Sequence, residues 1–125
     1  MMLYDVPSMK RLTFIPYEET YTPLRRNLDR VDPQAYTRIH AELTSRFDGR
    51  EIDTAGWIPG SDWSNTVWEP IYLAAEGDQI RAAKFFGQLV WKAVVDHPDC
   101  WSSGKYELHG VPIQSRTYFR IDCPD

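Results

Sequence analysis

Between Ile80 and Val95 the chain reads IRAAKFFGQLVWKAVV, with apolar residues at 80, 82, 83, 85, 86, 89, 90, 91, 93, 94 and 95. On a helix these cover most of the circumference, and Arg81, Lys84, Gln88 and Lys92 form the one narrow polar stripe. A helix so apolar is buried on several sides, at the centre of a domain or at a subunit interface. Asp78 supplies an N-cap, which predicts a helix over about 78–96 and, from its sparse polar surface, a homo-oligomer.

A second helix announces itself at Asp32-Pro33, an N-cap followed by proline at the first helical position. Tyr36, Ile39, Leu43 and Phe47 follow at spacings of three, four and four, and Asp48-Gly49 stops the run. The prediction is an amphipathic helix over 33–47.

Other segments carry shorter signals. Met9–Tyr17 is rich in strand-forming residues up to Pro16 and predicts a short or edge strand. Residues 18–31, with Pro23 and little periodicity, read as a surface connection, the segment expected to be most mobile. Residues 51–58 look like a strand, and 69–75 like a short helix with Pro70 near its start. Lys105–Leu108 and Val111–Ile121 predict a C-terminal β-hairpin across His109-Gly110, with Leu108 opposite Val111 and Tyr106 opposite Ile113. By alternation, Val111, Ile113, Thr117, Phe119 and Ile121 face the core, and Gln114, Arg116, Tyr118 and Arg120 face outward. This order predicts an α+β fold, one globular domain over 1–125, in which a small, mainly antiparallel sheet packs on two main helices.

Residues 52–72, IDTAGWIPGSDWSNTVWEPIY, fit none of these periodicities. Trp57, Trp63 and Trp68 fall within twelve positions, with Gly56, Pro59, Gly60 and Pro70 ruling out one long helix. Indole combines a large apolar body with an N–H donor, so it serves as a core anchor or as a contact surface. Trp57 and Trp68 suit the first role. Trp63, between polar turns and beside Ser61 and Asp62, suits the second.

Composition narrows the class. At 42% hydrophobic and 26% charged residues the chain belongs with folded proteins. A formal net charge of -4 argues against a generic polyanion binder, whose affinity would come from Lys and Arg. No apolar run approaches the roughly 20 residues that span a bilayer, and the start shows no leader pattern. Cys100 and Cys123 read as free thiols in a reducing compartment, which together with the missing leader predicts a cytoplasmic protein.

Candidate chemistry is sparse. Asp53-Thr54-Ala55-Gly56 departs from the Asp-Thr-Gly of aspartic proteases by the displaced glycine, so Asp53 reads as solvent-facing or as a turn former. Gly60-Ser61-Asp62 lacks the spacing of a nucleophile elbow. His97, Asp99 and Cys100 are metal-ligand types without a paired signature, and a histidine at a helix C-terminus is explained by the helix dipole. His40 reads as a solvated helix residue and His109 as a turn residue. Arg116, Tyr118 and Arg120 would mix cations with an aromatic ring on the outer hairpin face, as single-strand nucleic-acid binders do.

These features predict a non-catalytic cytosolic module that binds a protein or small ligand through residues 56–68, using Trp57, Ser61, Asp62, Trp63 and Trp68, with no cofactor and no metal. The competing expectations are a small hydrolase or transferase, with Asp53, Asp62 and His97 or His109 in a pocket, and a nucleic-acid-binding domain.

Overall fold

The computed structural model describes residues 2–5, 10–48, 52–54, 64–104, 107–108, 111–112 and 117–123. In chain order the elements are β1 (Met2–Asp5), β2 (Lys10–Leu12), α1 (Glu18–Val31), α2 (Ala35–Phe47), β3 (Ile52–Thr54), α3 (Glu69–Ala74), α4 (Gln79–Asp96), β4 (Cys100–Gly104), β5 (Glu107–Leu108), β6 (Val111–Pro112) and β7 (Thr117–Arg120). The fold is α+β.

Helix α4 is the organising element. Asp78 Oδ1 accepts the backbone N–H groups of Ile80 and Arg81 at 3.0 and 3.1 Å, which caps its first turn. Ala82, Phe85, Phe86, Leu89, Val90, Trp91, Ala93, Val94 and Val95 are buried within their own chain. Most of the apolar circumference is therefore covered by α1, α2, α3 and β1, while Ile80 in the first turn is exposed and Ala83 half-buried.

Gln88, expected on the polar stripe, is also buried. Its Nε2 donates to the carbonyls of Pro16 and Tyr17 at 2.7 and 3.1 Å, and Trp91 Nε1 donates to Phe14 O at 2.8 Å. The polar atoms of α4 thus moor the stretch that leads into α1.

Gly87 lies on the exposed side of α4, where a Cβ would meet no atom within 4 Å. Helix-interior glycine costs chain entropy with nothing here to justify it. Gly87→Ala should therefore stabilise the protein by about 0.5–1 kcal/mol, seen as a higher denaturant midpoint at unchanged slope.

The segment expected to be a mobile connection is helix α1. Tyr21, Leu24 and Leu28 recur at spacings of three and four and are buried, while Glu18 and Glu19 lie in the first turn and Arg30 in the last, as the helix dipole favours. Pro23 falls inside the helix, and its missing N–H is tolerated because tertiary burial of the Tyr21 face outweighs one lost backbone bond. Asp32 ends α1 by donating its N–H to Leu28 O, and its Oδ1 accepts the Gln34 N–H at 2.9 Å; α2 starts at Ala35 after Gln34, two residues later than the expected Asp32 cap and Pro33 start. Arg38 also bonds Asp32, which holds that carboxyl below its usual range. Ala35, Ile39, Leu43 and Phe47 form the buried face of α2, and Tyr36 is half-buried at its edge.

The sheet has the order β2-β1-β4-β7-β3. It is mainly antiparallel, as expected, with one parallel pairing that makes it mixed. The β1–β4 pairing is parallel, with Leu3 opposite Trp101, because β1 and β4 lie at the two ends of a stretch that contains all four described helices. β2, the expected edge strand, occupies one edge, with Lys10 and Arg11 exposed.

The hairpin register Leu108–Val111 is present, but β5 and β6 form a separate two-stranded sheet. The Tyr106–Ile113 pairing lies outside the described residues. β7 instead pairs with β4 and β3, which placed no constraint on a parity counted from Val111. Among the described side chains the face assignment fails at Tyr118 and Phe119, while Arg120 is exposed as expected. Tyr118 is buried at 1% exposure while Phe119 is half-buried. Leu3, Trp101 and Tyr118 make the helix-facing side, and Phe47 at the end of α2 meets the Trp101 and Tyr118 rings edge-on at 5.2 and 5.5 Å.

Candidate functional site

The sequence placed its candidate site in residues 56–68. Trp57, Ser61, Asp62 and Trp63 lie outside the described residues, as do His109 and Arg116. Asp53 is in β3, where its backbone pairs with Tyr118.

Trp68 is a core anchor at 3% exposure. Its ring meets Phe86 of α4 edge-to-face at 5.1 Å, and the Arg46 guanidinium lies 5.3 Å from the ring centre. The turn before it is built locally. Asn65 takes a left-handed conformation at φ 60 and its N–H donates to Glu69 Oε2, while the Trp68 N–H donates to Thr66 Oγ1. The Trp-rich segment therefore runs between two fixed points, β3 in the sheet and Trp68 in the core.

Two histidine–aspartate pairs form among the described residues, and their second nitrogens separate them chemically. His97, at the end of α4, is buried at 1% exposure. Its Nδ1 accepts from the Asp99 backbone N–H at 3.0 Å and from Trp101 Nε1 at 3.2 Å. Two donors on Nδ1 place the ring proton on Nε2, which donates to Asp48 Oδ1 at 2.8 Å. Both nitrogens are engaged, so His97 ties the ends of α4, α2 and β4 together and offers no lone pair to a substrate.

His40 differs. Its Nε2 meets Asp96 Oδ2 at 2.9 Å, Lys92 holds the other oxygen of Asp96 at 3.0 Å, and no described residue engages Nδ1. The ring is half-buried rather than solvated, at 27% exposure. A carboxylate that holds one nitrogen orients the other as a proton acceptor, the arrangement a general base needs. Thr44, one turn further along α2, has a buried hydroxyl without a partner among the described residues. Closed to solvent, it does not serve as a nucleophile.

Around this pair the helices meet through polar groups. The Arg25 guanidinium lies 3.6 Å from the centre of the Tyr36 ring and pairs with Asp29. Burial pushes the Tyr21 phenol well up, with a further push from Tyr36, and burial likewise raises Tyr36. Both phenols stay protonated, Tyr21 donating to Tyr36, close to Arg25, Lys92 and Asp96. His40 and Asp96 lie 56 residues apart, and no spacing in the sequence announces their pairing.

The proposed nucleic-acid face loses its aromatic member, since Tyr118 is in the core. Arg120 is exposed, with Asp99 Oδ2 at 3.9 Å. No group of three or more His, Cys, Asp or Glu side chains that could hold a metal ion occurs among the described residues. Cys100 and Cys123 are not free thiols: they form a disulfide with Cα atoms 5.2 Å apart, a pairing their separation of 23 residues does not by itself signal. No described helix is long and apolar enough to cross a membrane. No family model, curated protein or solved structure matches the chain.

Proposed function

We propose that the chain is a non-catalytic binding module that holds a protein partner or small ligand through residues 56–68. The observation that carries this reading is the burial of Trp68, which gives a segment rich in indoles a rigid attachment to the core. Trp57, Ser61, Asp62 and Trp63 are its proposed contacts, with Trp63 the principal one.

Trp68→Ala should cost about 3–5 kcal/mol in folding stability by denaturant titration, because a buried indole leaves a large cavity. Trp63→Ala should leave folding nearly intact and abolish capture of a partner or ligand by native mass spectrometry of the purified complex. A Trp63→Ala protein that keeps every ligand of the wild type rejects the reading.

The runner-up is a small hydrolase or transferase. It is favoured by the open Nδ1 of His40 beside Asp96, a pair other than the Asp53, Asp62 and His97 or His109 set expected from sequence. The cytoplasmic placement belongs to the module proposal, and the disulfide counts against it, because such bonds persist chiefly in oxidising compartments.

A further inference from the structure

The Cys100–Cys123 bond joins two unlike sulfurs. Cys100 opens β4 at 1% exposure, in a strand paired on both sides and beside His97, whose Nδ1 accepts from both neighbours of Cys100, Asp99 and Trp101. Cys123 is exposed and lies three residues beyond the end of β7. Between them, the Ile121 N–H donates to Cys100 O at 2.9 Å, and Arg120 lies 3.9 Å from Asp99. One half of the disulfide is therefore part of the core, and the other lies on exposed chain beyond β7. Exchange attacks whichever sulfur an external thiolate can reach.

We propose that Cys123 is a site of reversible S-thiolation by a low-molecular-weight monothiol, with Cys100 as the sheltered leaving and resolving sulfur. In the forward step the monothiol, having given its proton to solvent, attacks Cys123 Sγ. The Cys100–Cys123 bond breaks, Cys100 leaves with the electron pair and takes up a proton, and Cys123 becomes a mixed disulfide. In the reverse step Cys100, after losing its proton, attacks Cys123 Sγ and expels the monothiol. No electron is gained or lost overall, since one disulfide is exchanged for another. Burial of Cys100 slows its departure and its return alike, so an acid quench traps the adduct that has formed. The strand pairings of β7 with β3 and β4 do not involve either sulfur, so the change is confined to the chain beyond Ile121.

The test incubates the oxidised full-length protein with glutathione as the probe monothiol, quenches in acid, alkylates and maps peptides by mass spectrometry. The expected product carries one glutathione on the Cys123 peptide and an alkyl group on Cys100 only after denaturation. Hydrogen exchange should rise at Asp122 and Cys123 and stay unchanged in β4 and β7. In single variants that need no disulfide exchange, the thiol of C100S should alkylate at least about tenfold faster than that of C123S, as exposure dictates. If C100S does not fold, the wild-type peptide map decides alone. Glutathione found on Cys100, no adduct while dithiothreitol reduces the bond completely, or loss of near-UV circular dichroism on adduct formation each overturns the proposal.

Discussion

Tyr118→Ala should destabilise the protein by about 3–5 kcal/mol, whereas Phe119→Ala, one residue on, should cost roughly 1–2 kcal/mol. Tyr118 is buried at 1% exposure in a central strand and meets Phe47 edge-on at 5.5 Å, so its removal opens a cavity where α2, β4 and β7 join. Phe119 is half-buried on the opposite face and loses less contact when cut back. Tyr118→Phe separates packing from the phenol: retention of most of the stability would show that the ring, rather than its hydroxyl, is what the core uses. Equilibrium urea unfolding of the three variants gives the ranking. Equal costs, or a larger cost at Phe119, would mean that β7 presents the other face to the helices.

The same pair of residues shows why part of the fold is legible in the sequence and part is not. The alternation along 111–121 starts at Val111 in β6, which belongs to a different sheet from β7. Parity carries through an unbroken strand only. Helices α2 and α4 were legible because each carries an apolar stripe over at least three turns, and α4 also has its expected cap in the Asp78 bonds to Ile80 and Arg81. Helix α1 carries the same kind of stripe in Tyr21, Leu24 and Leu28, but Pro23 inside it reads as a break when the burial of that stripe is not known. β1 and β4 were not legible. Met2–Asp5 and Cys100–Gly104 are too short to show a period, and both become strands through pairing with each other. Of the candidate site, Trp68 as an anchor was readable from residue type and flanking turns. The His40–Asp96 and His97–Asp48 pairs arise from helix docking and the Cys100–Cys123 bond from the pairing of β4 with β7, none of which a local pattern encodes.

His97→Ala should cost on the order of 3–5 kcal/mol, and the graded replacements say which nitrogen matters. Trp101 is fully buried, and its Nε1–H, like the Asp99 N–H, has His97 Nδ1 as acceptor. Alanine leaves the indole donor unpaired in the core, a penalty of about 1–3 kcal/mol in addition to the cavity. Asp48 has a side chain 61% exposed, so water can replace the Nε2 donor it loses. Asp48→Ala should therefore cost only on the order of 1 kcal/mol. Asparagine at position 97 can place an oxygen near the former Nδ1 and keep an acceptor for the indole. Glutamine reaches the former Nε2 position and keeps only the Asp48 contact. The expected order of stability is wild type, then His97→Asn, then His97→Gln, then His97→Ala, measured by urea midpoints. Trp101 fluorescence cannot be isolated among five tryptophans, so the indole N–H resonance in a 15N-labelled protein should report the bond directly, shifted in His97→Gln and near its wild-type position in His97→Asn. If His97→Gln is the more stable of the two, the link to Asp48 dominates and the buried acceptor is not what holds the end of α4 to β4.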